Sequence, residues 1–286
     1  MFPLRVVLDV VTPAIVFTLL MAVGLDLTPA DFARVRRAPH VLAAGLLAPL
    51  VVLPATAIAL IWWFSPDPAT AAGFLLLAAC PIGGMSNTYT YLARASTALS
   101  VTLTGLSSLV AVAAIPVITR ASGALLHEPI GVDAPAAFLV AQLVLVIALP
   151  VGLGMGIRRR WPVWAQARRP GLQRLAFVLL GMLLTLVITV ERRRVASMYE
   201  QVALVAAVFV TASFAAGWLT GAAIRASRAD RFTLAAGFAT RNVAVAMAIA
   251  VTLLGRTEFA VFASLYFLTA LPLLLAAASV WRWRLR

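Results

Sequence analysis

Long hydrophobic stretches run through this chain, cut at intervals by short clusters of arginine, proline, glycine and acidic residues. A bilayer core about 30 Å thick takes about 20 apolar residues of helix, and windows of that length bounded by charge or turn residues predict nine membrane-spanning helices. They fall at about 6–25, 39–62, 69–93, 97–119, 134–157, 172–190, 200–224, 231–254 and 258–280. The longest connections, 120–133 and 158–171, are too short to fold on their own. The pattern thus predicts an all-α integral membrane protein forming a single domain over residues 1–286. The N-terminal run from Met1 to Leu25 exceeds the apolar core of a secretory signal, and no convincing small-residue cleavage site follows it. It reads as the first span.

Composition agrees, since 63% hydrophobic residues, 12% charged residues and a mean hydropathy of +1.01 exclude an ordinary soluble domain. The net charge of +13 resolves once the basic residues, all of them arginine, are placed on the two sides of the predicted spans. One side collects sixteen: Arg34, Arg36, Arg37, Arg94, six between Arg158 and Arg174, Arg225, Arg228, Arg231, Arg282, Arg284 and Arg286. The other holds six: Arg5, Arg120, Arg192, Arg193, Arg194 and Arg256. This asymmetry predicts a multi-pass protein of the cell membrane with its N-terminus outside and its C-terminus cytoplasmic. The charge serves topology and anionic lipid contact and implies no nucleic-acid partner. Cys80 is the single cysteine, which excludes an intrachain disulfide.

One arginine, Arg241, is left inside a predicted span, and two spans carry polar interruptions. The third reads GFLLLAACPIGGMSNTYTYLA and the eighth GFATRNVAVAMAIAVTLL, each opening on Gly-Phe and carrying an asparagine, Asn87 and Asn242. With nine spans and opposite termini, the last four lie inverted relative to the first four, which permits an inverted repeat pairing these two. Interrupted segments at corresponding places in two halves mark a transporter's binding site. Pro81 removes a backbone donor, and Gly83 and Gly84 accept backbone angles other residues do not, so the third span is expected to break. Broken backbone at membrane depth must be buried in protein or line a watery cavity. Beyond the break, Ser86 and Asn87 are placed to cap a new half-helix whose free amides offer positive charge to an anion.

The run CPIGGMSNTYTYLARASTALSVTLT, Cys80 to Thr104, resembles the signature of the bile acid:sodium symporter family, usually close to CPGGxxSNxxTYLARGxxALSVxxT. The stretches MAVGLDLTPADFARVRRAP and LAPLVVLPATA are similar to that family's first conserved hairpin. The resemblance implies a panel domain and a core domain, with two discontinuous helices, here about 69–93 and 231–254, crossing near the midplane. It corresponds to the nine-helix form. It also implies a sodium site formed by Ser86, Asn87, Ser100 and Thr104. Hydroxyl and amide oxygens suit a hard cation, and Ser100 and Thr104 share a helix face.

The second half departs from the pattern. Where the family reads ExGxQN, this chain has Gly237 in place of the glutamate and Arg241 in place of the glutamine, and Pro49 takes the position of a further glutamine. None of the ten acidic residues falls at mid-membrane depth in the predicted windows. An intramembrane arginine costs at least about 2.5–3.5 kcal/mol to insert. Its guanidinium is expected to occupy the space of the missing second sodium, neutralising the carbonyl ends of the broken helices or pairing with an anionic substrate. Either role weakens or replaces sodium coupling.

The resulting reading is a secondary transporter of small organic anions in the lipid bilayer. Its candidate substrate-binding residues are Gly84, Ser86, Asn87, Thr240, Arg241 and Asn242, and its candidate sodium ligands are Ser86, Asn87, Ser100 and Thr104. No organic cofactor is implied and no oligomeric state is assigned. Three alternatives stay open: a sodium-coupled organic anion symporter with one sodium site, an arsenite-type efflux carrier using Cys80, and a non-transporting membrane sensor. An enzyme is not expected, because His40 and His127 lie at a helix entry and in a loop, and no catalytic cluster forms within the spans.

Overall fold

The computed structural model describes residues 10–26, 39–126 and 136–284, and all regular structure among them is helical. Of the residues singled out above, Arg5, Arg34, Arg36, Arg37, His127 and Arg286 lie outside the described residues. The helices are α1 (Thr12–Asp26), α2 (Pro39–Phe64), α3 (Pro68–Ala79), α4 (Met85–Leu92), α5 (Thr97–Leu126), α6 (Ala136–Leu143), α7 (Leu149–Arg160), α8 (Pro162–Val190), α9 (Arg192–Ala223), α10 (Arg228–Ala239), α11 (Val243–Ala248) and α12 (Ala260–Trp283). One π-helical turn, Val144–Ala148, joins α6 to α7, and another, Ile249–Leu253, extends α11. Among the described residues, six segments are long and apolar enough to cross a membrane: Pro39–Phe64, Thr97–Ala121, Val140–Arg160, Pro170–Val190, Arg192–Ala223 and Thr257–Trp283. Shorter apolar pieces occupy Thr12–Asp26, Pro68–Ala79 and Val243–Leu253.

Local chemistry sets the helix starts. Asp67 opens α3, its carboxylate accepting from the amides of Ala69 at 3.2 Å and Thr70 at 3.4 Å, with Pro68 in the first turn where a missing donor costs nothing. Ser227 opens α10 by accepting from Asp230 N at 3.1 Å, and its hydroxyl donates to Asp230 Oδ2 at 2.7 Å. Two expected connections are helical instead. Residues 162–171 form the first turns of α8, because Pro162 fits a first turn and the Gln166 and Arg168 side chains are exposed there. Arg192, Arg193 and Arg194, expected in a loop, begin α9, and only Glu191 separates them from α8.

Packing sorts the helices into two groups. In the first, α1 packs on α7 and α8. The α1–α7 contact depends on two glycines: a Cβ on Gly24 would lie 2.1 Å from Val151 O, and one on Gly154 would lie 2.2 Å from Met21 O. Such small-residue contacts let helices approach closely where no hydrophobic effect drives them together. In the second group α9 packs on α2, α10 and α12, while α5 packs on α2, α3 and α4. Its apolar centre includes Phe74 stacked on Phe262 at 4.3 Å and edge-on to Phe209 at 4.8 Å, which ties α3, α12 and α9 together.

Candidate functional site

Pro81 stops α3, and the residue before it, Cys80, takes the extended conformation that a following proline enforces, with φ −65° and ψ 157°. The chain resumes as α4 at Met85. The second interruption, Thr240–Asn242, has no proline, and Thr240 is extended at φ −116°, ψ 98°. The two breaks satisfy each other. Gly83 N donates to Thr240 O and Asn242 N donates to Pro81 O, each at 2.8 Å, so Ile82 and Arg241 pair as an antiparallel bridge. These bonds pair peptide groups that the two breaks would otherwise leave unmatched at depth.

The expected role of the glycines changes in detail. Gly84 has ordinary helical angles, φ −59° and ψ −21°, and Gly83 is not among the described residues with positive φ. Gly83 is required by proximity, since a Cβ there would lie 2.7 Å from Arg241 O. The expected cap also differs. Neither Ser86 nor Asn87 caps α4, whose start has no side-chain cap. Their amides are taken by Gly83 O at 3.0 Å and Gly84 O at 3.1 Å, in a tightened first turn, and so are not free for an anion. In the other arm Asn242 does cap, its Oδ1 accepting from Val245 N at 3.2 Å.

The side chains of Ser86 and Asn87 turn instead toward α5. Ser86 Oγ lies 3.1 Å from Ser100 Oγ and 3.3 Å from Thr104 Oγ1, while Asn87 Oδ1 accepts from Ser100 Oγ at 2.7 Å and Thr104 Oγ1 at 3.4 Å. All four expected oxygen donors are thus in one cluster, with Ser86, Ser100 and Thr104 buried. A neighbouring serine, Ser107, accepts from Ile82 N at 3.1 Å and so ties the first break to α5.

Arg241 is buried to 4% exposure, yet its Nε and Nη1 have no hydrogen-bond partner among the described residues. Such an unpaired buried charge is expensive. Arg241 lines two spaces. One is a pocket with room for about one water, where it meets Pro49, Cys80, Pro81 and Ser107. The other is a cavity of about 170 Å³ between the two packing groups, walled by α1 and α8 on one side and by α4, α5, α12 and both breaks on the other. Gly84, Asn87, Thr104, Thr240, Arg241 and Asn242 all line this cavity, and Ser86 and Ser100 lie just behind it. Thr240 spends its hydroxyl on Ala236 O at 2.6 Å.

The sequence reading missed several lining residues. Asp26 ends α1 and lines the cavity, as do Tyr89, Gln173, Phe177 and Tyr266. Tyr266 donates its hydroxyl to Ala239 O at the second break. The hydropathy pattern alone does not distinguish these side chains from ordinary span residues.

Fold and site together define an α-helical integral membrane protein organised about two interrupted helices that meet in their breaks. Residues 13–198 match the model of the Sodium Bile acid symporter family, and the chain belongs to that family. The match takes in the first break and stops short of the second. Among its relatives, a chloroplastic probable sodium/metabolite cotransporter of Oryza sativa subsp. japonica is 30% identical over 148 residues, 52% of this chain and 34% of the relative. A chloroplastic protein of Arabidopsis thaliana with the same description is 35% identical over 135 residues, 47% of this chain and 32% of the relative. An uncharacterized sodium-dependent transporter of Bacillus subtilis is 35% identical over 101 residues, 35% of this chain and 30% of the relative. The chain spans about a third of the length of the curated relatives it matches.

Proposed function

We propose that the protein is a secondary transporter of small organic anions, working from the cell membrane, in which Arg241 serves as the substrate's counter-charge and sodium coupling is weakened. The observation that carries this reading is the buried guanidinium with two unpartnered nitrogens beside a cavity at the crossover. An arginine held only to neutralise carbonyl ends would spend those nitrogens on them. A planar fork of donors instead suits a carboxylate, which the cavity has room to hold. The cotransporter descriptions of the relatives support transport as the activity.

The architecture is read as nine crossings: α1, α2, α3 with α4, α5, α6 with α7, α8, α9, α10 with α11, and α12. The pairing of the two breaks supports an inverted repeat. The separate packing of α1, α7 and α8 supports a panel beside a core. With the N-terminus outside, the C-terminus is cytoplasmic.

A second reading, sodium symport through one site, is favoured by the convergence of Ser86, Asn87, Ser100 and Thr104. A thermal-stability screen of purified protein against short carboxylates, with sodium or choline as the cation, separates the two. Bound ligand raises apparent stability by about 2.7 kcal/mol at a hundredfold excess over Kd. Stabilisation by a carboxylate irrespective of sodium is expected. Stabilisation only with sodium, together with steep sodium-driven accumulation in proteoliposomes, would replace this reading with the second.

A further inference from the structure

We infer that the protein is an obligate anion exchanger: its binding site passes between the two sides of the membrane readily only with an anion on Arg241. The inference rests on the reading of Arg241 as counter-charge and adds the mode of transport to it.

The main-chain acceptors of the two breaks are already engaged. Thr240 O takes Gly83 N, Pro81 O takes Asn242 N, Arg241 O takes Val243 N, and Ala239 O takes the Tyr266 hydroxyl. Asn242 Oδ1 takes Val245 N, and Asn87 Oδ1 takes two hydroxyls. Asp26 lines the cavity from α1 and has a contact of its own. Much of the remaining wall is apolar, with Leu19, Val23, Phe177, Leu180 and Phe267. Arginine cannot escape by losing its proton.

Nε and Nη1 are sealed from water in this structure, so water entering the open cavity reaches the guanidinium only through its remaining nitrogen. Any carrier that exposes its site alternately must pass through a state closed to both sides, and there the hydration is withdrawn. An empty carrier then holds an uncompensated buried charge, whereas a loaded one holds an ion pair. The loaded carrier therefore crosses and the empty one stalls. Net movement requires an empty return, and exchange does not. A short monocarboxylate with an apolar body suits the charged pole and greasy wall.

The test uses the full chain in proteoliposomes preloaded with a radiolabelled monocarboxylate, in a series from acetate to 2-oxoisovalerate. The membrane potential is clamped with potassium and valinomycin so that charge build-up cannot slow efflux. The outside holds either potassium HEPES free of small anions or the same buffer with unlabelled carboxylate. Efflux is expected to be about 100-fold faster with carboxylate outside, equivalent to about 2.7 kcal/mol at 1.36 kcal/mol per tenfold. Equal efflux in the two buffers would overturn exchange and leave organic-anion transport standing. Efflux into anion-free buffer that reaches the exchange rate once sodium is added would overturn it in favour of symport. If no member of the series moves in either buffer, the transport reading itself fails and exchange with it. Arg241→Gln should bring the ratio of exchange to net efflux toward one. If that variant does not fold, the wild-type ratio decides alone.

Discussion

Ile82 and Arg241, 159 positions apart in the chain, face each other as a two-residue antiparallel bridge, flanked by the bonds from Gly83 N to Thr240 O and from Asn242 N to Pro81 O. A bilayer protein can interrupt a helix only where something else takes up the freed peptide groups. Here each interruption is the other's solution. Both arms, and the side chains they carry, are fixed relative to one another by main chain.

Gly83→Ala should therefore be costly and Gly84→Ala should not. The added methyl at 83 would sit 2.7 Å from Arg241 O, while nothing lies within 4 Å of one at 84. Overpacking of this kind costs about 1–3 kcal/mol, against about 0.5 kcal/mol or less where space is open. Thermal unfolding in detergent should rank the variants in that order, and equal transitions would contradict the close approach.

Arg241→Met should raise the stability of the ligand-free protein while abolishing carboxylate-dependent stabilisation. Removing a buried charge with two unpaired nitrogens relieves a desolvation penalty, and replacing buried ionic groups with apolar ones often gains about 1–4 kcal/mol. Sites that bind at the expense of stability behave this way. A less stable variant would mean that the guanidinium holds the crossover together.

Gly237→Glu combined with Arg241→Gln should install sodium dependence. A Cβ at 237 would lie 3.5 Å from Ile82 Cδ1, an ordinary contact, so the first atom of the new side chain fits. The measurement is sodium-dependent uptake by proteoliposomes, compared with either single change. Uptake indifferent to sodium in the double variant would remove the argument that Arg241 stands in for a cation.

Ser100→Ala deletes the donor that reaches Asn87 Oδ1 at 2.7 Å and the hydroxyl beside Ser86. A loss of about 1–2 kcal/mol is expected from the hydrogen bonds. Any stabilisation by sodium over choline in the parent protein should disappear with it. Its survival would mean that this oxygen cluster packs α4 on α5 and does nothing for a cation.

Asp67→Asn and Asp67→Ala separate a helix cap from an ion pair. Asp67 both caps α3 and accepts from Arg194 Nη1 at 2.8 Å, with both side chains about a third exposed. The asparagine keeps a capping oxygen and loses only the partly exposed pair, at about 0–1 kcal/mol. The alanine loses the cap as well, for about 1 kcal/mol more. Unfolding transitions of the two variants should differ accordingly.

The first break was legible because proline and glycine announce it in the covalent chemistry of the backbone. The second carries no breaker at residues 240–242 and was inferred only by likeness to the first. Its cause is tertiary, the pairing with Pro81 and Gly83. The oxygen cluster was implied by the resemblance to the symporter family, and spacing added that Ser100 and Thr104 share one face of α5. What spacing could not give was direction: Ser86 and Asn87 look like caps in sequence, and in the fold α5 claims both side chains. Helix ends at α8 and α9 were misplaced because hydropathy marks where lipid is tolerated, whereas a helix continues through charged turns until its backbone bonds run out. Asp26 and Gln173 gave no signal, since their place at the cavity follows from packing alone.

The bridge between the two breaks also settles which parts are free to slide. Pulling the arms apart would strip two peptide hydrogen bonds in a nonpolar setting, at several kcal/mol per unmatched group. The knot at Ile82 and Arg241 is therefore a hub that turns as one piece. If the site is exposed to the two sides of the membrane in turn, the seam where α1, α7 and α8 lean on that hub is where the motion is expected, because among the described residues no main-chain bond of this kind crosses it.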